Sequence, residues 1–137
     1  MKWIFTIGVL MVLTACQTEV ETMVLLDEKI GKVEVSESNG VGDVNTDILE
    51  VFKDDKSIQT FQDAIETAVM KQIDVEGEDP DYDLMVLYEE GYPSHPIHLW
   101  LGEEGEPSTL SYVVGEGETY LTTEKATQAL REMLLSE

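Results

Sequence analysis

"YDLMVLYEEGYPSHPIHLW", residues 82–100, holds two apolar runs joined by a short link that contains Gly91 and Pro93. In the first run Tyr82, Leu84, Val86 and Tyr88 fall at every second position. In the second, Ile97 and Leu99, with Leu101 just beyond, alternate with His98 and Trp100. A period of two puts alternate side chains on one face of a β-strand, and a link this short suits antiparallel neighbours. On the C-terminal side, Leu110–Val114 precedes a "GEGE" turn and the short run Thr119–Leu121. On the N-terminal side, Val33 and Val35 alternate with Lys32, Glu34 and Ser36, and Met23–Leu26 is long enough for one more strand. Between these lies "SNGVGDVNTD", residues 38–47, where Asn39-Gly40 and Gly42 mark a loop able to adopt positive φ.

The period changes at Ser57. Ile58, Phe61, Ile65, Ala68 and Val69 recur at helical spacing, which predicts an amphipathic helix capped by Ser57 and ending near Lys71. The acidic stretch at 74–83 cannot prolong it, because Gly77 and Pro80 break the pattern. A second helix is expected at the C-terminus, with Thr122 or Thr123 as cap and Ala126, Leu130, Met133 and Leu134 on one stripe. Strands clustered between two helices predict an α+β fold: a small antiparallel sheet of four to five strands with two amphipathic helices packed on it. Residues 32–137 form its single domain.

The chain opens with Met1-Lys2, runs through apolar Trp3–Val12 and reaches Leu13-Thr14-Ala15-Cys16. One positive charge, an apolar stretch and small residues before a cut are the parts of a secretory signal peptide. The run is too short for a membrane-spanning helix, which needs about 20 apolar residues. Leu13-Thr14-Ala15-Cys16 resembles the lipobox of bacterial lipoproteins. That resemblance implies a diacylglyceryl group on the Cys16 sulfur and cleavage ahead of it: residues 1–15 are then the signal peptide and 16–31 the lipidated N-terminus and tether. Two acyl chains suffice to hold a protein to a bilayer. Cys16 is the chain's one cysteine, so the domain has no disulfide to lean on and must stand on its hydrophobic core.

The 137 residues carry 29 acidic against 8 basic side chains, a net charge of −21. A surface of that sign repels nucleic acid, whose recognition depends on Lys and Arg against phosphate. It suits solubility in a salty or alkaline medium, and it could attract cations.

Three separated stretches, "KVEVSESNGVGDVNTDILEVFKD", "DPDYDLMV" and "PIHLWLGEEGE", resemble in that order the YhfM-like domain of lipoproteins from Bacillus and related Gram-positive bacteria. The resemblance spans roughly residues 32–135. It implies a surface lipoprotein domain with no assigned activity and no catalytic residue to carry over.

Among candidate sites, Asp43, Asn45 and Asp47 are spaced like the opening of a calcium loop. Ile48 and Asp54 stand where that loop requires Gly and a bidentate Glu, and the match fails. Glu76, Glu78, Asp79, Asp81 and Asp83 are denser, and Asp79, Asp81 and Asp83 are the candidate ligands for a weakly held divalent cation. His95 and His98 stand three residues apart, on opposite faces of a strand unless Pro96 bends it, so they do not predict a zinc site. Tyr82, Tyr88, Tyr92 and Trp100 could fill the core or line a groove. No nucleophile elbow, P-loop or dinucleotide fingerprint is present. The expectation is a non-enzymatic, lipid-anchored accessory or binding domain on the extracytoplasmic face of the cell membrane, with an envelope protein or glycan as partner and no cofactor. The alternatives are a calcium-binding or calcium-sensing lipoprotein and, behind it, a small envelope hydrolase.

Overall fold

A computed structural model of the chain describes residues 20–75 and 77–135. The signal peptide, Cys16 and Glu76 lie outside them. The two apolar runs of residues 82–100 pair as expected: β4 (Tyr82–Tyr88) and β5 (His95–Trp100) are antiparallel, with Leu84 opposite Ile97 and Asp83 opposite His98. Around them stand β1 (Ile30–Glu37), β2 (Ile48–Phe52), β3 (Val69–Met70), β6 (Thr109–Tyr112) and β7 (Tyr120–Leu121). Together they make one antiparallel sheet in the order β2-β1-β4-β5-β6-β7-β3.

Seven strands replace the four to five expected, and the difference lies at the edges. In β2, Ile48, Leu49, Glu50 and Val51 are all exposed, so no alternation betrays it. β3 is two residues long and falls where the helical pattern was expected to continue. Edge strands this short take their conformation from the partner's backbone rather than from their own side chains. Met23–Leu26 is not a strand of the sheet; Thr22 makes one isolated bridge to Val69.

Alternation sorts the central strands into two faces. Val33, Val35, Leu84, Val86, Ile97, Leu99, Leu110 and Tyr120 are buried on one, and register sets Val35 beside Leu84, Leu84 beside Ile97 and Leu99 beside Leu110. Two helices supply the rest of the core. α1 (Asp55–Glu66) buries Ile58, Phe61, Ala64 and Ile65, and Phe61 meets Phe52 edge to face at 5.2 Å. Its cap is Asp54, not Ser57: the Asp54 carboxylate accepts the Ser57 N–H at 2.9 Å, and that bond holds the carboxyl below its ordinary pKa. The helix stops five residues short of the expected end, Glu66 against Lys71: the Ala68 N–H tightens onto the Ile65 carbonyl, and Val69 and Met70 then pair with β7. α2 (Glu124–Leu135) begins at Thr123, whose hydroxyl accepts the Ala126 N–H at 3.0 Å.

Before β1 the chain runs as a strap across the core face. The Met70 N–H donates to the Glu21 carbonyl and the Met23 N–H to the Ala68 carbonyl. The Tyr112 hydroxyl accepts the Val24 N–H at 2.8 Å, and the Tyr88 hydroxyl accepts the Leu26 N–H at 3.1 Å. Met23 and Leu25 point inward and are buried. Beneath the strap Tyr88, His95, Tyr112 and Tyr120 form a row of rings across four strands, with successive centroids 5.6, 6.1 and 5.8 Å apart. Burial pushes the His95 pKa down and the three phenols up.

Phe61 is fully buried, and Phe61→Ala should cost about 3–5 kcal/mol of unfolding free energy, measured by urea denaturation. His95 also makes stability depend on pH. Its unfolded value is 6.5 and its folded value is lower, so between the two the unfolded chain binds the extra proton and stability rises with pH. The contribution is complete above the unfolded value and is lost as pH falls below it. Urea melts from neutral to mildly acidic pH should show this fall, and His95→Gln should lessen it.

Candidate functional site

The face of the sheet opposite the core carries a transverse polar row. Register places Ser36 beside Asp83, Asp83 beside His98 and His98 beside Ser111, on four neighbouring strands. All four are buried, Asp83 and His98 to 1% exposure. The loop at 38–47 covers the first three. The Asn45 N–H donates to Asp83 Oδ2 at 2.8 Å, the Ser36 hydroxyl donates to the Asn45 carbonyl at 2.8 Å, and the Gly42 N–H points at His98 Nε2 at 3.1 Å. Gly42 has φ +97, in the left-handed region that favours glycine.

The partners of His98 settle its tautomer. A backbone N–H can only donate, so Nε2 holds a lone pair and the ring proton sits on Nδ1, facing Asp83 Oδ1 at 2.7 Å. Asp83 and His98 therefore form an oriented carboxylate–imidazole dyad with its basic nitrogen toward the loop. Neither flanking hydroxyl bonds to the imidazole: Ser36 is spent on Asn45 and Ser111 on the Glu118 carbonyl at 2.9 Å. With the loop in place the dyad is a clasp.

The other sequence candidates are dispersed. Asp83 belongs to the dyad; Asp81 accepts the Leu101 N–H at 2.8 Å; Asp79 lies by the Gly40 backbone. Among the described residues no group of three or more His, Cys, Asp or Glu side chains is placed to hold a metal ion. Asp43 accepts the N–H of Val44, and Asn45 Oδ1 accepts that of Asp47, so these residues shape their own loop. His95 sits on the core face, where its Nδ1 meets the Tyr88 hydroxyl at 2.6 Å. Tyr82 is half-buried, Tyr88 is in the aromatic row and Tyr92 is exposed. Trp100 lies on the dyad's face, edge to face with His98 at 6.0 Å, and donates its indole N–H to the Glu78 carbonyl at 3.0 Å. It borders an open depression of about 650 Å³ with Glu78, Asp79, Asp81, Glu103 and Glu106.

Sequence reading passed over the dyad although both residues were in view. Spacing within one strand could only separate His98 from His95; the partner came from the next strand, through a register that links Asp83 to His98 across 15 positions. The one available signal was a carboxylate, Asp83, on the face of β4 that otherwise carries Met85 and Leu87.

No curated protein matches the chain. Among solved structures it is similar to the 1.70 Å crystal structure of a thioesterase-like protein from Clostridium sporogenes, with a TM-score of 0.59 and 14% identity over 79% of this chain and 96% of that one. At this identity the likeness is one of fold. It corrects two expectations. The four-to-five-stranded sheet gives way to the seven-stranded antiparallel architecture with two helices. The expectation of a non-enzymatic accessory domain is withdrawn with it, since the fold is shared with a thioesterase-like protein over nearly its whole length. Residues 27–137 match the YhfM protein family, and the chain belongs to it.

Proposed function

We propose that this chain is an extracytoplasmic protein held to the cell membrane by a diacylglyceryl group on Cys16, and that its domain hydrolyses ester or thioester bonds with His98 as general base. The anchor is supported by Leu13-Thr14-Ala15-Cys16 at the end of a signal peptide and by the affinity that two acyl chains supply. The hydrolase reading is carried by one observation: a buried carboxylate 2.7 Å from Nδ1 of an imidazole whose Nε2 holds a lone pair. The fold shared with a thioesterase-like protein supports the class of bond.

The chemistry follows from those positions. When the loop draws Gly42 back, Nε2 is free to take a proton from water while the water oxygen bonds to the acyl carbon. The tetrahedral adduct then breaks its bond to the leaving oxygen or sulfur, which receives the proton from His98. Asp83 holds the ring in one tautomer and faces the transient imidazolium. Water is the nucleophile, because the Ser36 and Ser111 hydroxyls are engaged elsewhere.

Two experiments test the two halves separately. Cys16→Ala should yield a protein without lipid, found in the medium or as uncleaved precursor; unchanged membrane fractionation with cleavage at the same bond would refute the anchor. On a panel of acyl esters and thioesters, the purified full-length protein in detergent should turn over at least one substrate. His98→Gln should lower kcat by about 10²–10⁴-fold, with thermal melts confirming a folded variant. No turnover on the panel, or a rate that survives His98→Gln, would refute the hydrolase.

A further inference from the structure

The chain has two asparagines, Asn39 and Asn45, both in the loop that covers the dyad, and their surroundings differ. Asn45 is fixed: its Nδ2 donates to the Glu37 carbonyl at 2.7 Å, its Oδ1 accepts the Asp47 N–H at 3.0 Å, and β-branched Thr46 follows it. Asn39 is exposed, and its side chain has no hydrogen-bond partner among the described residues. Gly40 follows it at φ +122; a Cβ there would meet nothing within 4 Å except Asp79 Oδ1 at 3.7 Å. No side chain therefore crowds the Gly40 Cα next to the Asn39 carboxamide. Its N–H is held by the Ser38 hydroxyl oxygen at 3.2 Å.

We propose that Asn39 is a site of spontaneous modification, in which ring closure by the Gly40 nitrogen converts it to aspartate and isoaspartate and loosens the loop over His98. The Gly40 nitrogen bonds to Asn39 Cγ as it gives up its proton. The side-chain nitrogen leaves as ammonia, carrying that proton. The five-membered imide then takes up one water and opens at either carbonyl, to aspartate or to isoaspartate. The only co-reactant is solvent. A flexible carboxamide, a bare neighbouring Cα and an exposed loop are what this closure requires, and Asn45 lacks all but the last.

The product alters what lies next to it. A new carboxylate arises at position 39, beside the Gly40 backbone that Asp79 Oδ1 already approaches, in a chain of charge −21. Like charges in contact repel. The isoaspartate form also lengthens the main chain by one methylene, three residues before the Gly42 N–H that caps His98. Both changes weaken the cap.

The test incubates the purified full-length protein at mildly alkaline pH and follows it by peptide mass spectrometry and amide hydrogen exchange. The expected result is a gain of about one dalton confined to the Asn39 peptide, resolved into two isomeric products, with the Asn45 peptide unchanged and the Gly42 amide exchanging several-fold faster in the modified fraction. Gly40→Ala should slow the gain several-fold. Asn39→Gln, which leaves the backbone alone but would need a six-membered ring, should nearly abolish it. Equal gain at both asparagines, no gain at Asn39, or a Gly40→Ala protein that reacts as fast would overturn the site. Modification without faster exchange at Gly42 would overturn the loosening.

Discussion

Taking a carboxylate out of water costs several kcal/mol unless its oxygens are paired, and Asp83 is placed under that constraint by β4, whose alternation turns it away from the core and beneath the loop at 38–47. Both of its oxygens are used: one holds the His98 ring, the other the Asn45 amide. His98 in turn spends its second nitrogen on Gly42. The loop, two strands and the polar row are therefore joined through a single side chain. Among the described residues no buried side-chain nitrogen or oxygen is left without a partner. A clasp that satisfies every group this completely also stores a reactive arrangement, because the same bonds that fix the loop orient an imidazole.

The sheet separates two kinds of chemistry. On the core face, rings and aliphatic side chains stack across the strands, and burial among phenols holds the His95 pKa down. On the other face the strands present Ser36, Asp83, His98 and Ser111 in register. The two histidines of the chain, three residues apart, consequently have opposite roles. Exposed ion pairs among the described residues contribute little. The ion pairs Lys29–Glu89 and Lys32–Glu34 are 3.6 and 3.4 Å long and solvent-accessible, worth well under about 1 kcal/mol each. Against a net charge of −21 the fold rests on its apolar core.

What was legible in the sequence was whatever a side chain announces along its own strand or helix. β1, β4, β5 and β6 and the stripes of both helices follow from their apolar runs and periods, and the loop at 38–47 from Asn39-Gly40 and Gly42. β2 and β3 were not legible, since one is exposed at four of its five residues and the other is only two residues long. The cap of α1 slipped from Ser57 to Asp54 because either side chain can serve, and the backbone path chose the carboxylate. Asp83 was in view as an acid in an acidic stretch; that it is the buried partner of His98 depends on β4–β5 register, which pairs residues but leaves no mark within either run. The thioesterase-like architecture is equally a matter of how strands are ordered across the sheet.

The strap ahead of β1 gives the domain a direction. Load entering from the N-terminal side reaches the Glu21–Met70 and Met23–Ala68 hydrogen bonds first, at the two-residue border strand β3, and then the two tyrosine hydroxyls in turn. A pull would thus peel the molecule open from that border, one fastening at a time. Met23 and Leu25, buried under that strap, would be the first core side chains laid bare.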